Sequence, residues 1–164
     1  MQKSLGALAL SIIALAGSPA YASTANGVLT VQATVLAACS VNSGTLAFGV
    51  INPATGTGTL TNTNVNVTCS QGTSFAVGLS DGINASGSQR RMKGANQLQY
   101  ISYELYQDNA GSQRFGDSVT AQRLSGQTGL GLTANAITVY GAVSAGQSAP
   151  PDTYSDTVPI TVYY

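Results

Sequence analysis

The chain contains no histidine and no tryptophan, and only six basic and six acidic residues in 164. Without histidine it lacks the commonest general base and metal ligand, so no Ser-His-Asp triad can be built from its many serines. Two cysteines cannot assemble a Cys/His zinc site. A balanced, sparse charge gives no electrostatic footprint for nucleic acid, which takes several clustered lysines or arginines. Most enzyme classes are excluded at this point. A length near 150 fits one domain with a respectable core, and neither an internal repeat nor a dividing linker is visible.

Lys3 is the only charged residue before Asp81. An apolar run from Leu5 to Ala16 follows it. Gly17, Ser18 and Pro19 then break the run, and Ala20-Tyr21-Ala22 places small residues where a signal peptidase reads. Residues 1–22 are therefore expected to be a secretory signal cleaved between Ala22 and Ser23. The rival is a membrane anchor, but the run is shorter than the roughly 20 residues that span a bilayer, and no later stretch is apolar enough. Losing Lys3 leaves five basic against six acidic residues, a net charge of −1.

Export alters the reading of Cys39 and Cys69. An oxidising compartment favours a bridge between them, and closing a loop of about 30 residues is worth roughly 3–4 kcal/mol in the chain-entropy picture. Their spacing is far from C-x-x-C and no cation lies nearby, which argues against a redox pair.

The exported region is rich in Thr, Ser, Asn, Gly and Val. These are residues of pleated sheet and of turns, and no window shows helical periodicity. Alternation is plain instead. It runs through Leu29, Val31, Ala33 and Val35; Leu46, Phe48 and Val50; Val65, Val67 and Cys69; and Phe75, Val77 and Leu79. It continues through Ile101, Tyr103 and Leu105, then Ile137, Val139, Gly141 and Val143, and ends with Val158, Ile160, Val162 and Tyr164. Turn signals separate these runs: Asn52-Pro53, Ser70-Gln71-Gly72, Ser80-Asp81-Gly82, Asp108 to Gly111, and Pro150-Pro151. Thr55 to Thr63 reads as a loop leading into a strand. About seven short strands with regular turns predict a β-sandwich. The strand at 28–36 is odd, because no turn joins it to a hairpin partner. A strand of this kind joins a sheet edge, its own or another molecule's.

The chemistry-bearing residues do not converge. Arg90, Arg91 and Lys93 are the one basic cluster and read as a solvated turn. Asp81, Asp108 and Asp152 sit in turn contexts, where Asp caps amides. Glu104 is expected to be exposed or paired with an arginine. Asp81-Gly82-Ile83-Asn84 has too few carboxylates for a calcium loop, and no pair of carboxylates is placed as a glycosidase needs. The late tyrosines (Tyr100, Tyr103, Tyr106, Tyr140, Tyr154, Tyr163, Tyr164) lack the basic neighbours of a base-stacking platform and fit core and edge packing better. No catalytic residue, metal site or cofactor is expected.

Several segments, in order and spacing, resemble the spore coat protein U-like domain. They are Val31-Gln32-Ala33-Thr34-Val35 ahead of Cys39-Ser40-Val41, then Leu46-Ala47-Phe48-Gly49, Val67-Thr68-Cys69, and Leu79-Ser80-Asp81-Gly82 with Arg91-Met92. Tyr103-Glu104-Leu105-Tyr106-Gln107-Asp108 with Phe115-Gly116-Asp117, and the ending Tyr154 to Tyr163, complete the likeness. Within that family the chain is similar to pilins of Csu-type, or archaic, chaperone–usher pili. Pro159 departs from a regular final strand, since proline cannot donate to a ladder.

The resemblance implies an all-β, incomplete immunoglobulin-like sandwich over residues 37–164, preceded by a donor-strand segment at 23–36. It implies a structural, non-enzymatic shaft or adaptor subunit of a surface pilus, exported through the periplasm and serving attachment and biofilm formation. Its partners would be a periplasmic chaperone, an outer-membrane usher and neighbouring subunits, with no nucleic acid and no membrane span. The family assigns the donor role to Leu29, Val31, Ala33 and Val35, residues whose alternation was already apparent. Two alternatives stand beside it. One is a self-contained secreted or spore-coat protein. The other is a carbohydrate-binding sandwich, which the absence of tryptophan disfavours.

Overall fold

A computed structural model describes residues 21–42, 44–52, 58–96 and 98–164. The apolar run of the expected signal, Pro53 and the residues 55–57 lie outside the described residues. Residues up to Thr34 form one unit and Val35 to Tyr164 another. In the first, residues 21–34 have no regular secondary structure and their side chains are exposed.

The second unit is built of strands: β1 Cys39–Val41, β2 Thr59–Cys69, β3 Ser74–Leu79, β4 Arg90–Gly94, β5 Tyr100–Tyr106, β6 Leu124–Thr128, β7 Asn135–Val143, β8 Tyr154–Ser155 and β9 Ile160–Tyr163. They form a six-stranded sheet in the order β1-β2-β7-β5-β4-β8 and a three-stranded sheet in the order β6-β3-β9. Every pairing is antiparallel. The two-residue period places Val65, Val67 and Cys69 of β2, Ile101, Tyr103 and Leu105 of β5 and Ile137, Val139 and Val143 of β7 on one inner face. Phe75, Val77 and Leu79 of β3 meet them from the other sheet. The fold is thus an all-β, immunoglobulin-like sandwich.

Cys39 opens β1 and Cys69 closes β2. They stand opposite each other in the ladder and are joined by a disulfide.

Three expectations need correction. Leu46, Phe48 and Val50 do not form a strand. The segment instead lays Leu46 and Phe48 over the inner face of β7 at Gly141, where a Cβ would come within 2.8–3.0 Å of both side chains. Glycine in mid-strand is what permits that approach. Freed from a ladder, the segment loses its alternation, and Val50 is 96% exposed. Second, β2 begins at Thr59, so the end of the expected loop is strand. The long β7 supplies a full ladder partner there, with Thr59 opposite Val143 and Thr63 opposite Val139.

Third, Arg90, Arg91 and Lys93 do not lie in a solvated turn but on β4. Alternation turns Arg90, Met92 and Gly94 inward, so Arg90 is wholly buried. Arg91 faces outward, donating to the carbonyl of Asn84 and lying 4.2 Å from the centre of the Tyr100 ring.

Candidate functional site

The core is covered unevenly. Leu46, Phe48, Ile51, Val158, Ile160 and Val162 pack against it yet remain only half-buried. Several of them line a groove of about 900 Å³, floored by Val65, Ile101, Tyr103, Leu105 and Val139 of the large sheet. Leu79, Val158 and Ile160 form one wall, the segment from Gly44 to Ile51 another, and Ala149 to Thr153 one end.

Beside the groove, β9 pairs with β3 alone, through Leu79–Ile160 to Ala76–Tyr163. Among the described residues its other edge has no ladder partner, and neither has the outer edge of β1. Pro159 lies just ahead of β9, and its carbonyl accepts the Ser80 amide. A groove with an apolar floor beside an open strand edge suits an extended segment. Main-chain bonds would go to the edge, and alternate side chains into the floor.

Polar groups fix the walls. The Tyr103 hydroxyl donates to Asp156 at 2.7 Å, and the same carboxylate accepts the Asn84 amide and side chain at 3.1 and 3.0 Å. Burial, reinforced by the bond to Asp156, pushes the Tyr103 phenol far above its ordinary range. The raised value means that the folded state holds this proton more tightly than the unfolded chain. Its contribution is therefore complete below about pH 10, where an unfolded tyrosine titrates, and is lost as pH rises further. Denaturation followed from pH 8 to 12 should show stability falling above about pH 10, with a shallower alkaline limb in Tyr103→Phe. An unchanged limb in the variant would assign the loss to other tyrosines.

A second network sits behind the groove. Arg90 donates to the carbonyls of Leu79 (2.8 Å), Ser80 (2.9 and 2.6 Å) and Phe115 (2.8 Å), and pairs with Glu104. Glu104 also receives Arg114 at 2.8 Å, and Arg114 reaches Asp81 at 2.8 Å. The chain Arg90–Glu104–Arg114–Asp81 thereby ties β4 and β5 of the large sheet to the end of β3 in the small one. Glu104 is paired rather than exposed. Asp108 caps its own turn, and the amide of Ser112 above all holds its carboxyl below the usual range. Among the described residues, no group of acidic or sulfur side chains could hold a metal ion, and no helix is long and apolar enough to cross a membrane.

The residues expected to matter are placed as follows. The strand expected at 28–36 is not formed in the single chain, where no ladder partner is paired with it: Leu29, Val31, Ala33 and Val35 lie in a segment without secondary structure, all exposed, Val31 at 82%. Ala22 and Ser23 are likewise exposed and irregular. The groove residues Leu46, Phe48 and Ile51 and the Tyr103–Asp156 pair were not foreseen as a site. Their signal was an apolar series, Leu46 to Val50, with no hairpin partner of its own.

The class of protein these features define is an immunoglobulin-like sandwich whose core is uncovered beside one edge strand. The Spore Coat Protein U domain matches residues 25–161 of the chain. A protein of Myxococcus xanthus called Protein U is 36% identical over 171 residues, covering 95% of this chain and 93% of that protein. Among solved structures, the fold is similar to a chain in the CsuC–CsuE chaperone–tip adhesion subunit pre-assembly complex from the archaic chaperone–usher Csu pili of Acinetobacter baumannii. The TM-score is 0.60 at 22% identity, over 80% of this chain and 41% of that one. The chain thus spans less than half the length of that solved chain. It belongs to the Spore Coat Protein U domain family.

Proposed function

We propose that the protein is a structural, non-enzymatic subunit of an extracellular chaperone–usher fibre, assembled by donor-strand exchange. Residues 1–22 act as the secretory signal, cut between Ala22 and Ser23. The exported subunit holds its groove open for a periplasmic chaperone. At an outer-membrane usher, the segment 28–36 of the next subunit then fills it. A single sandwich with its own donor segment suits a shaft or adaptor position in a surface fibre that supports attachment and biofilm formation. The observation that carries this reading is the presence of two halves in one chain: an apolar groove of about 900 Å³ beside an edge of β9 that has no ladder partner among the described residues, and an exposed segment whose apolar residues alternate in sequence.

The likeness to Protein U over nearly the whole chain favours a second reading, a self-contained coat or surface protein. Amide hydrogen exchange separates the two. Under donor-strand exchange, residues 28–36 are protected in surface material and exchange as free coil once heat dissociates it. Protection that persists in the isolated monomer supports the self-contained protein. Coil-like exchange in both states contradicts the donor role altogether.

A further inference from the structure

The end of the sandwich from which the N-terminal segment departs carries three exposed leucines. The Ser70 amide donates to the Ala38 carbonyl at 2.9 Å and its hydroxyl to that of Leu36 at 3.3 Å, so residues 36–38 are tied to the turn after β2. The loop between β6 and β7 is tied to the same place. Gly131 donates to Cys69 at 3.1 Å, and the Gly129 carbonyl accepts Gly72 at 3.0 Å. Around these bonds Leu36, Leu130 and Leu132 are exposed, Leu132 completely. The opposite end carries an exposed leucine and the exposed Pro151. Leu98 is 80% exposed in the β4–β5 loop, and that loop is bound to the end of the groove. The Ala95 amide donates to Thr153 at 3.0 Å, and the Asn96 amide and side chain donate to Asp152 at 2.8 and 2.9 Å.

Chain length brings these two ends together, on the donor-strand reading above. The last donor residue, Val35, is three residues from the anchored Ala38. That is a reach of about 10 Å at most, too short for a flexible linker. Every ladder in the sandwich is antiparallel. A donor laid antiparallel along β9 leaves the groove at the Ile160 end, towards Ala149 to Thr153.

We infer that Leu130 and Leu132 of one copy pack on Leu98 and Pro151 of the next, a head-to-tail contact that flanks the donor strand. Such a heterologous contact does not close on itself and propagates along a fibre. The occupant of each end is a second copy of this chain.

The test places benzoylphenylalanine at position 132 of the full chain in fibre-producing cells. The expected result is a ladder on unheated gels, plus a light-dependent dimer that survives heating and maps to residues 95–99 or 149–153 of a second copy. Leu98→Asp should cut that adduct several-fold while leaving the ladder. A ladder without the adduct, or an adduct mapping elsewhere, overturns the contact and leaves donor exchange standing. Absence of a ladder from the unsubstituted protein overturns donor exchange, and the contact with it.

Discussion

Cells producing Val31→Asp should bear no fibres, while those producing Thr30→Lys should bear them at near-normal density. The difference follows from the two-residue period of a strand. Leu29, Val31 and Val35 would each bury most of a side chain in a neighbour's groove, worth about 1.5–3 kcal/mol apiece. A carboxylate at position 31 removes one such term and adds an unpaired buried charge, which costs several kcal/mol more. In such a donor strand Thr30, Gln32 and Thr34 would point away from the groove, so a lysine at position 30 would stay in water. Val31 is exposed in the subunit itself, so the substitution leaves the subunit's own core alone. Electron microscopy of the cell surface, with an immunoblot of the periplasmic subunit, checks both halves. Fibres that survive Val31→Asp, or that vanish equally with Thr30→Lys, would remove residues 28–36 from assembly.

Arg90→Met should cost about 3–5 kcal/mol, the usual penalty for breaking a buried ion pair by removing one partner. Methionine fills much of the space but leaves the carbonyls of Leu79, Ser80 and Phe115 without their donor. Glu104 keeps Arg114, which limits the loss on that side. A domain is stable by about 5–15 kcal/mol in all, so the exported level of the variant should fall severalfold or more. Arg91→Met is the matched comparison. Its guanidinium lies on the outer face, half-exposed over Tyr100, and its loss should leave the level nearly unchanged. Equal effects at 90 and 91 would mean that burial of the first contributes nothing.

The contrast between those adjacent arginines shows what alternation does and does not reveal. In β3 and β5, and over Val65 to Cys69 of β2 and Ile137 to Val143 of β7, the inward residues are mostly Val, Ile, Leu, Phe or Tyr, so their pattern announces both strand and face. In β4 the inward set is Arg90, Met92 and Gly94. Hydrophobicity alone sees one apolar residue among three, although an inward Met92 obliges Arg90 to be inward too. What makes that tolerable is a set of acceptors contributed by Leu79, Ser80, Glu104 and Phe115, which are remote in sequence. The short strands β1 and β8 are held by their partners rather than by propensity. In β6, Gly126 at φ +72° accompanies a register shift opposite Phe75 and Val77 that no local pattern would indicate.

The groove itself was not legible in the sequence. The alternating segment at 28–36 and its lack of a hairpin partner could be read directly from the residues. The incompletely covered core, which the proposed function makes its acceptor, emerges only once β9 takes the edge beside β3. Leu46 and Phe48 illustrate the difficulty. Their alternation predicts a strand, whereas the space above Gly141 draws them across the sheet instead. The alternation from Val158 to Tyr164 predicts a final strand with Pro159 inside it, whereas β9 begins only after the proline, at Ile160, since proline has no amide to give a ladder.

Assembly through an exchanged strand, rather than folding as a self-contained monomer, is tested most directly by gel electrophoresis of material released from the cell surface, before and after strong heating. Donor-strand exchange predicts a ladder of multiples of the exported subunit without heating, collapsing to a single monomer band afterwards. A monomer band alone in the unheated sample would contradict it.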